Sequence, residues 1–307
     1  MSEDSFYILT VNPFGVFRFS FDGSLISTIS VEGRAEGEYL IPTDIAYSRK
    51  DNVLYIADIA KGIMKFSSDG AYLSTVSSTT NYKNRQFVIS DSGTIIENVL
   101  NVTGREQDAI VELSQEGDTL NYVPNKFMFD CVTPVAIPYH HSLRKYADEV
   151  LYNPACCDTI YSYHSGQLTP KYSFSFPRHV TKEDLRDFYS NISDTQFLME
   201  YAEDGKNLYL SIFDGSWAYK HYVLRKSDGN IFRGDFRLSD SFNTEFSPRW
   251  QSEGWLIDVF DPSTINYAYS KDITEDARQK AYSYLHSVGV EGITMESDPI
   301  IMLTRAK

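Results

Sequence analysis

The sequence predicts an all-β fold, a six-bladed β-propeller, and three observations carry that prediction. Residues 4–30 align without a gap with residues 51–77, and the second half of the segment returns over residues 109–123, so that the period is 47 residues. Each unit contains several short stretches in which apolar and polar residues alternate. A related turn sequence closes one hairpin of successive units. A period of this length, with four short strands per unit, is typical of sheets arranged radially around an axis.

The second unit shows its four strands most clearly. Alternation of apolar and polar residues predicts strands over Thr43–Ser48, Val53–Asp58, Gly62–Ser67 and Tyr72–Val76. Such alternation places one set of side chains on each face of a sheet.

Hairpin turns recur at equivalent positions of the units, over residues 20–23, 67–70, 114–117 and 226–229. Glycine ends each of these turns and supplies the positive φ that a tight hairpin requires. We expect each turn to lead into an outermost strand.

The later units are less regular. The fourth is recognisable over residues 158–166, and the fifth ends at Gly229 after an insert over residues 178–195. Thr181–Leu185 in that insert resembles a capping box and predicts a short helix. A sixth unit is represented by residues 246–250 and 255–260.

The period changes near the C-terminus. Thr274 begins a capping sequence, and four apolar residues then share one helical face before Gly289: Ala277, Ala281, Leu285 and Val288. This pattern predicts one C-terminal amphipathic helix, around residues 278–288, followed by a final strand over residues 299–305.

The first unit lacks the counterpart of the innermost strand of the second unit. Closed rings usually remove such an unpaired edge by taking a strand from the other end of the chain. We therefore expect the last strand, Ile300–Thr304, to complete a terminal blade. The alternative is a truncated start, which leaves the first blade with three strands.

Composition fits an ordinary globular core. At 307 residues the chain could form one large all-β domain or two ordinary ones, and the repeat favours a single domain over residues 1–307. Three cysteines occur, and we interpret Cys156 and Cys157 as small buried hydrophobic residues, with one optional disulfide to Cys131.

Net charge argues against two classes of partner. The formal charge is −14 and the pI is near 4.8, so that nucleic acid and anionic membrane surfaces are disfavoured. Because the acidic residues are dispersed, we interpret them as favouring solubility rather than as steering cationic ligands. No apolar run is long enough to span a bilayer, and Met1–Asp4 lacks the pattern of a signal peptide.

Three segments carry a resemblance to a known family: Gly33–Tyr39 with Pro42–Ile45, Asp158–Tyr161, and Asp298–Leu303. The chain resembles, over nearly its whole length, the six-bladed β-propeller lipoproteins of gut Gram-negative bacteria, which are relatives of NHL-repeat propellers. The resemblance implies export to the periplasm or cell surface. Two features depart from the family: Ala35-Glu36 stands where the family usually has Gly-Pro, and the upstream segment with a lipidated cysteine is absent.

Propeller sites normally lie at the central channel, so that candidate residues are those at the starts of inner strands. These are Asp44, Arg85, Gln86, Tyr139, His140, His141, Glu200, Tyr201, Arg249 and Trp250. Arg249 with Trp250 is the best binding prediction, because the pair offers a charge and a flat apolar face together. Trp217, Tyr219 and Trp255 could add to a stacking platform for a sugar or peptide, although blade packing is the preferred interpretation.

Catalytic chemistry has little support in the sequence. One imidazole of His140 and His141 could act as a base or metal ligand, but neighbours on a strand point to opposite faces, and we prefer a polar strand edge. Four oxygen donors could bind calcium, as a minority interpretation: Asp44, Glu97, Asn98 and Glu200. No nucleophile elbow and no phosphate-binding loop occur. We predict no catalytic residue, no metal and no cofactor.

The leading hypothesis is a non-catalytic binding or scaffolding propeller that is exported and binds a small molecule, glycan, peptide or protein. The alternative is a metal-dependent hydrolase or lyase with its site in the central channel. A purely structural role in a surface assembly is the third interpretation, and it predicts a large apolar patch.

Overall fold

The computed structural model describes most of the chain. The described residues are 1–2, 4–11, 13–77, 85–99, 101, 104–131, 143–216, 219–233, 237–239, 242–245, 248–252, 254–260, 283, 286 and 299–305. They form six antiparallel sheets of three or four strands and one separate two-stranded hairpin, and the fold is a six-bladed β-propeller, as the sequence predicted.

The first three sheets follow one another along the chain. The first contains β1 (Ser5–Val11), β2 (Phe14–Ser20) and β3 (Leu25–Thr28). The second contains β4 (Pro42–Ser48), β5 (Val53–Asp58), β6 (Gly62–Ser67) and β7 (Tyr72–Val76). The third contains β8 (Arg85–Ile89), β9 (Ile95–Val99), β10 (Asp108–Leu113) and β11 (Thr119–Pro124).

The later sheets carry the insertions. The fourth sheet contains β12 (Leu143–Tyr146), β13 (Glu149–Tyr152), β14 (Thr159–His164) and β15 (Gln167–Ser173), followed by the helices α1 (Lys182–Arg186) and α2 (Phe188–Asn191). The fifth contains β16 (Phe197–Glu203), β17 (Asn207–Phe213), β18 (Tyr219–Arg225) and β19 (Ile231–Arg233). A hairpin of β20 (Arg237–Ser239) and β21 (Phe242–Glu245) precedes the sixth sheet, which contains β22 (Trp250–Ser252), β23 (Trp255–Phe260) and β24 (Ile300–Arg305).

Two compact units divide these elements, Met1–Ser193 and Asp194–Lys307. The first unit holds sheets one to four with both helices, and the second holds sheets five and six. A single domain over residues 1–307 stays a prediction.

The core of the first unit lies between successive sheets. Alternate residues of β5 pack on opposite sides: Leu54 and Ile56 contact the cluster shared with the first sheet, and Tyr55 and Ala57 the cluster shared with the third. A further cluster, which includes Ile96, joins the third sheet to the fourth. Strands buried on both faces explain why β5 is almost continuously apolar.

Turn chemistry agrees with the sequence prediction. Gly23, Gly70, Gly117 and Gly229 all have positive φ, between 70° and 98°. In the insert, the hydroxyl of Thr181 accepts a hydrogen bond from the Asp184 backbone N–H, and the Asp184 carboxylate accepts one from the Thr181 N–H. This reciprocal capping box begins α1 as predicted.

The two ends of the chain differ from a simple repeat. The final strand, β24, pairs with β23 and thereby extends the sixth sheet, while the described residues of the first sheet form three strands. The predicted C-terminal helix lies outside the described residues, except that Ser283 and His286 are helical. Cys156 and Cys157 are buried, and the optional disulfide to Cys131 is not formed.

Candidate functional site

The first strands of sheets two, three and four lie side by side in the first unit. Strand β8 lies next to β4 on one side and to β12 on the other. In a propeller the blades surround a central channel, and ligand sites form there from residues of several blades. Polar side chains on these three strands are therefore the candidates to examine.

Asp44 follows an irregularity in β4. Pro42 pairs with Asp58 and Asp44 pairs with Ala57, so that Thr43 is an extra residue in the strand. A bulge of this kind changes the direction of the side chains that follow it. Asp44 shares its strand face with Ala46, which packs on the cluster between the second and third sheets.

The carboxylate of Asp44 joins two blades. Its Oδ1 accepts a hydrogen bond from the backbone N–H of Ile45 at 2.9 Å, and its Oδ2 accepts one from the backbone N–H of Phe87 at 3.1 Å. Phe87 lies on β8, so that the second bond connects neighbouring sheets. The residue as a whole is nevertheless half-buried rather than fully buried.

Desolvation by the surrounding protein raises the pKa of Asp44 to about 7. The two backbone hydrogen bonds and the positive charge of Arg144 act in the opposite direction, but they do not offset the loss of water. A carboxyl group that changes charge near neutral pH is more common at functional sites than elsewhere.

An amide pair lies on the third sheet, on the face directed toward the fourth sheet. Gln86 and Asn98 lie directly opposite each other on β8 and β9, and Asn98 Nδ2 donates to Gln86 Oε1 at 3.2 Å. Asn98 is 3% exposed, whereas Gln86 is half-buried. The buried amide thus orients a more accessible one.

Arg144 was not predicted from the sequence. It lies on β12, is 5% exposed, and is the charged group among the described residues that lowers the pKa of Asp44. The strand Leu143–Tyr146 is only four residues long, and Arg144 occupies the position next to the core residue Leu143. A charged residue in so short a strand gives no sequence signal of burial.

Glu97 and Glu200 are placed differently. Glu97 is buried on β9 and lies on the strand face opposite to that of Asn98, toward the cluster between the second and third sheets. Glu200 is half-buried on β16, where an extra residue, Met199, precedes it as Thr43 precedes Asp44. Tyr201, by contrast, is a core residue with 1% exposure.

Arg249 and Trp250 stand at the start of a strand, as expected. Trp250 is half-buried and is the first residue of β22, while Arg249 is exposed and donates its backbone N–H to the Ile257 carbonyl at 3.0 Å. Tyr219 begins β18 and is 51% exposed, and Trp255 begins β23.

Several predicted positions cannot be placed among the described residues. Tyr139, His140, His141 and Trp217 lie outside them, and for Arg85 only the backbone, at the start of β8, is described.

Within the described part of the chain, no group of three or more His, Cys, Asp or Glu side chains could hold a metal ion. No described helix is long and apolar enough to cross a membrane.

Comparison with known proteins assigns the family. The chain belongs to the family defined by the domain of unknown function DUF4934, which matches residues 1–305. No curated protein matches the chain.

Solved structures agree with the fold. A Bacteroides fragilis protein named "Putative exported protein" is similar with a TM-score of 0.74 at 15% identity, over 100% of this chain and 89% of the other. Hydrazine synthase of Kuenenia stuttgartiensis gives 0.47 at 9% identity, over 92% of this chain and 80% of the other. Virginiamycin B lyase of Staphylococcus aureus gives 0.42 at 12% identity, over 73% and 64%. The last two scores carry no argument about function.

Proposed function

We propose that this protein is an exported, non-catalytic β-propeller that binds a ligand at the first strands of sheets two, three and four. The observation that carries the proposal is the position of Asp44. Its carboxyl group is desolvated by protein and hydrogen-bonded to the backbone of two blades, while the residue as a whole is only half-buried.

The surrounding groups support binding rather than packing. Gln86 and Asn98 supply amide groups, and Arg144 supplies a positive charge. A small number of polar groups in a mainly apolar setting is typical of sites that orient a ligand. Arg249 and Trp250, in the second unit, are the second candidate position.

Export is supported by the similarity to the Bacteroides fragilis protein, which is named "Putative exported protein". A location in the periplasm or at the cell surface, lipid attachment and kinship with NHL-repeat propellers rest on the sequence resemblance. These finer assignments are part of the proposal.

A binding screen tests the proposed function. The full chain is titrated with a panel of small glycans and short peptides, and binding is followed by calorimetry and by amide chemical shifts. We expect at least one ligand whose affinity falls tenfold or more in Asp44→Asn and is lowered in Gln86→Ala. Trp250→Ala tests the second position in the same way.

The matched control is Asp130→Asn, which makes the same chemical change at a side chain that is 88% exposed. It should bind as the native chain does. Failure of every panel member to bind, combined with measurable turnover of a lactone or glycoside, would overturn the proposal.

The metal-dependent hydrolase or lyase stays an alternative prediction. It requires carboxylates or histidines to converge on one point, and His140 and His141 are its remaining sequence candidates. Metal analysis of the purified protein, repeated on His140→Ala and His141→Ala, tests it directly.

A further inference from the structure

The proposed site contains a carboxyl group without a counter-ion in contact. Among the described residues, Asp44 accepts hydrogen bonds from the backbone N–H groups of Ile45 and Phe87 and from no side chain. Arg144 influences it through space, without a hydrogen bond to Asp44 in the described part of the chain. An enclosed carboxylate is costly unless it is protonated or a paired cation compensates its charge.

The geometry points to a ligand that places a primary ammonium group against the carboxyl group of Asp44. This inference rests on the proposed function and names the chemistry of the ligand for that site. A hydroxyl group could donate a hydrogen bond there, but only a cation also compensates the charge of the desolvated carboxylate.

The rest of the site is compatible with an ammonium group. Gln86 lies next in sequence to Phe87, whose N–H binds Asp44; its side chain is on the opposite face of β8 and its amide oxygen accepts a hydrogen bond from Asn98. A side-chain amide oxygen can accept a hydrogen bond from an ammonium group or from neighbouring hydroxyls of the same ligand.

Charged and titratable groups on the strands around β4 bear on the expected pH dependence. They are Tyr7 on β1, Tyr47 on β4 itself, Tyr55 and Asp58 on β5, Arg85 on β8, Glu97 on β9, and Arg144 and Lys145 on β12. Asp58 pairs with Pro42 at the start of β4, and its carboxylate is occupied by four backbone N–H groups. Among those of these groups whose side chains are described, Arg144 is the one that shifts the pKa of Asp44.

Binding of an ammonium group is then linked to loss of a proton. Below neutral pH the Asp44 carboxyl is protonated, and the ammonium group binds the carboxylate only after that proton leaves for solvent. For one linked proton, affinity rises about tenfold per pH unit up to the pKa of the free site and then levels off.

The experiment uses two amines that stay protonated throughout the pH range: Nα-acetyl-lysine methylamide and 2-aminoethyl glucoside. Each amine is compared with its N-acetylated, neutral counterpart, which tests the need for the positive charge. Comparison of the two amines distinguishes a peptide ligand from a sugar ligand. Calorimetry between pH 5 and pH 8, in buffers of different ionisation enthalpy, counts the protons released.

We expect at least one amine to bind, its neutral counterpart to bind at least tenfold more weakly, and close to one proton to be released near pH 6. Asp44→Asn should lose the pH dependence and at least tenfold in affinity, while Asp130→Asn should keep both. If Asp44→Asn folds poorly, the test is made on the native protein instead. The NMR chemical shift of the Asp44 carboxyl carbon then reports its pKa, which should fall when the amine is added.

Two negative results have different meanings. If neutral counterparts bind as tightly as the amines, if binding is independent of pH, or if another class of ligand binds through Asp44, the ammonium inference is wrong and the proposed function stands. If neither the amines nor any member of the glycan and peptide panel binds in a manner that depends on Asp44, the proposed site is wrong as well.

Discussion

The second sheet contains two aspartates whose surroundings differ: Asp58 at the end of β5, and Asp44 near the start of the neighbouring strand β4. Asp58, at the end of β5, is fully buried. Its Oδ2 accepts the backbone N–H groups of Leu40 and Ile41, both at 2.7 Å. Its Oδ1 accepts those of Ala60 and Lys61, at 2.8 and 2.9 Å.

Asp44, on β4, accepts two backbone N–H groups and keeps part of its surface exposed. The carboxylate of Asp58 has its hydrogen-bonding capacity used by the fold, whereas that of Asp44 retains capacity for a partner from outside. Burial of an aspartate therefore does not identify a site by itself, and the number of hydrogen bonds supplied by the protein distinguishes the two roles.

Removal of the buried carboxylate should have the largest effect. Asp58→Asn places an amide N–H₂ group against two backbone donors and leaves them without an acceptor, which should lower the free energy of unfolding by about 3–5 kcal/mol. Denaturant titration measures the loss. A change below about 1 kcal/mol, similar to that in Asp130→Asn, would show that the four contacts do not stabilise this loop.

Glu112 extends the comparison to a carboxylate saturated by side chains. It accepts hydrogen bonds from Thr94 Oγ1 at 2.8 Å, Asn121 Nδ2 at 2.6 Å and Tyr163 Oη at 2.7 Å. Because Glu112→Gln replaces one acceptor oxygen by a donor, we expect a loss of about 1–3 kcal/mol in the free energy of unfolding. Adding Tyr163→Phe to that variant should cost less than the same change in the native chain, and equal costs would contradict the contact.

Asp44 should give a pH dependence of the opposite sign to that of a salt-bridged aspartate. Its folded-state pKa of about 7 lies above the ordinary value of 3.8. Between these values the folded state holds the proton that the unfolded state has lost, so that the free energy of unfolding falls as pH rises. This group contributes a slope of up to about 1.4 kcal/mol per pH unit.

The slope is isolated by subtracting the unfolding free energy of Asp44→Asn from that of the native chain at each pH. The difference should decrease from about pH 4 to pH 7 and stay constant above it. A flat difference over that range would mean that Asp44 titrates normally and that desolvation at this position is weak.

Gln86 should show the smallest effect on stability. Gln86→Ala removes one acceptor from the buried Asn98 amide, at a cost of about 1 kcal/mol. Thermal unfolding checks this value, and a cost above about 3 kcal/mol would indicate a structural rather than a ligand-orienting role for the amide pair.

Much of the fold follows from local sequence signals. Strands β5, β6 and β7 have the predicted limits, because alternation of side chains and the turn at Asp69-Gly70 determine them within a few residues. The capping box at Thr181 was likewise predictable from the sequence, since all its atoms belong to four consecutive residues. Predictions for the C-terminal helix fall outside the described residues.

Only part of the candidate site could be predicted from the sequence. Asp44, Gln86 and Asn98 could be nominated from their positions in predicted strands, although Asn98 was considered as a metal ligand rather than as a partner of Gln86. Arg144 was missed, because its burial depends on how β12 lies beside β8, and no local pattern records that arrangement.

The sequence by itself determined the limits of β5, β6 and β7, the hairpin turns and the number of blades, because these depend on side-chain alternation and on turn residues that are neighbours in the chain. Only the tertiary structure decided which carboxylates have their hydrogen-bonding capacity used by the protein. The partners of Asp44 and Asp58 are backbone N–H groups, which every residue but proline carries, so that their availability depends on the path of the chain and not on residue identity.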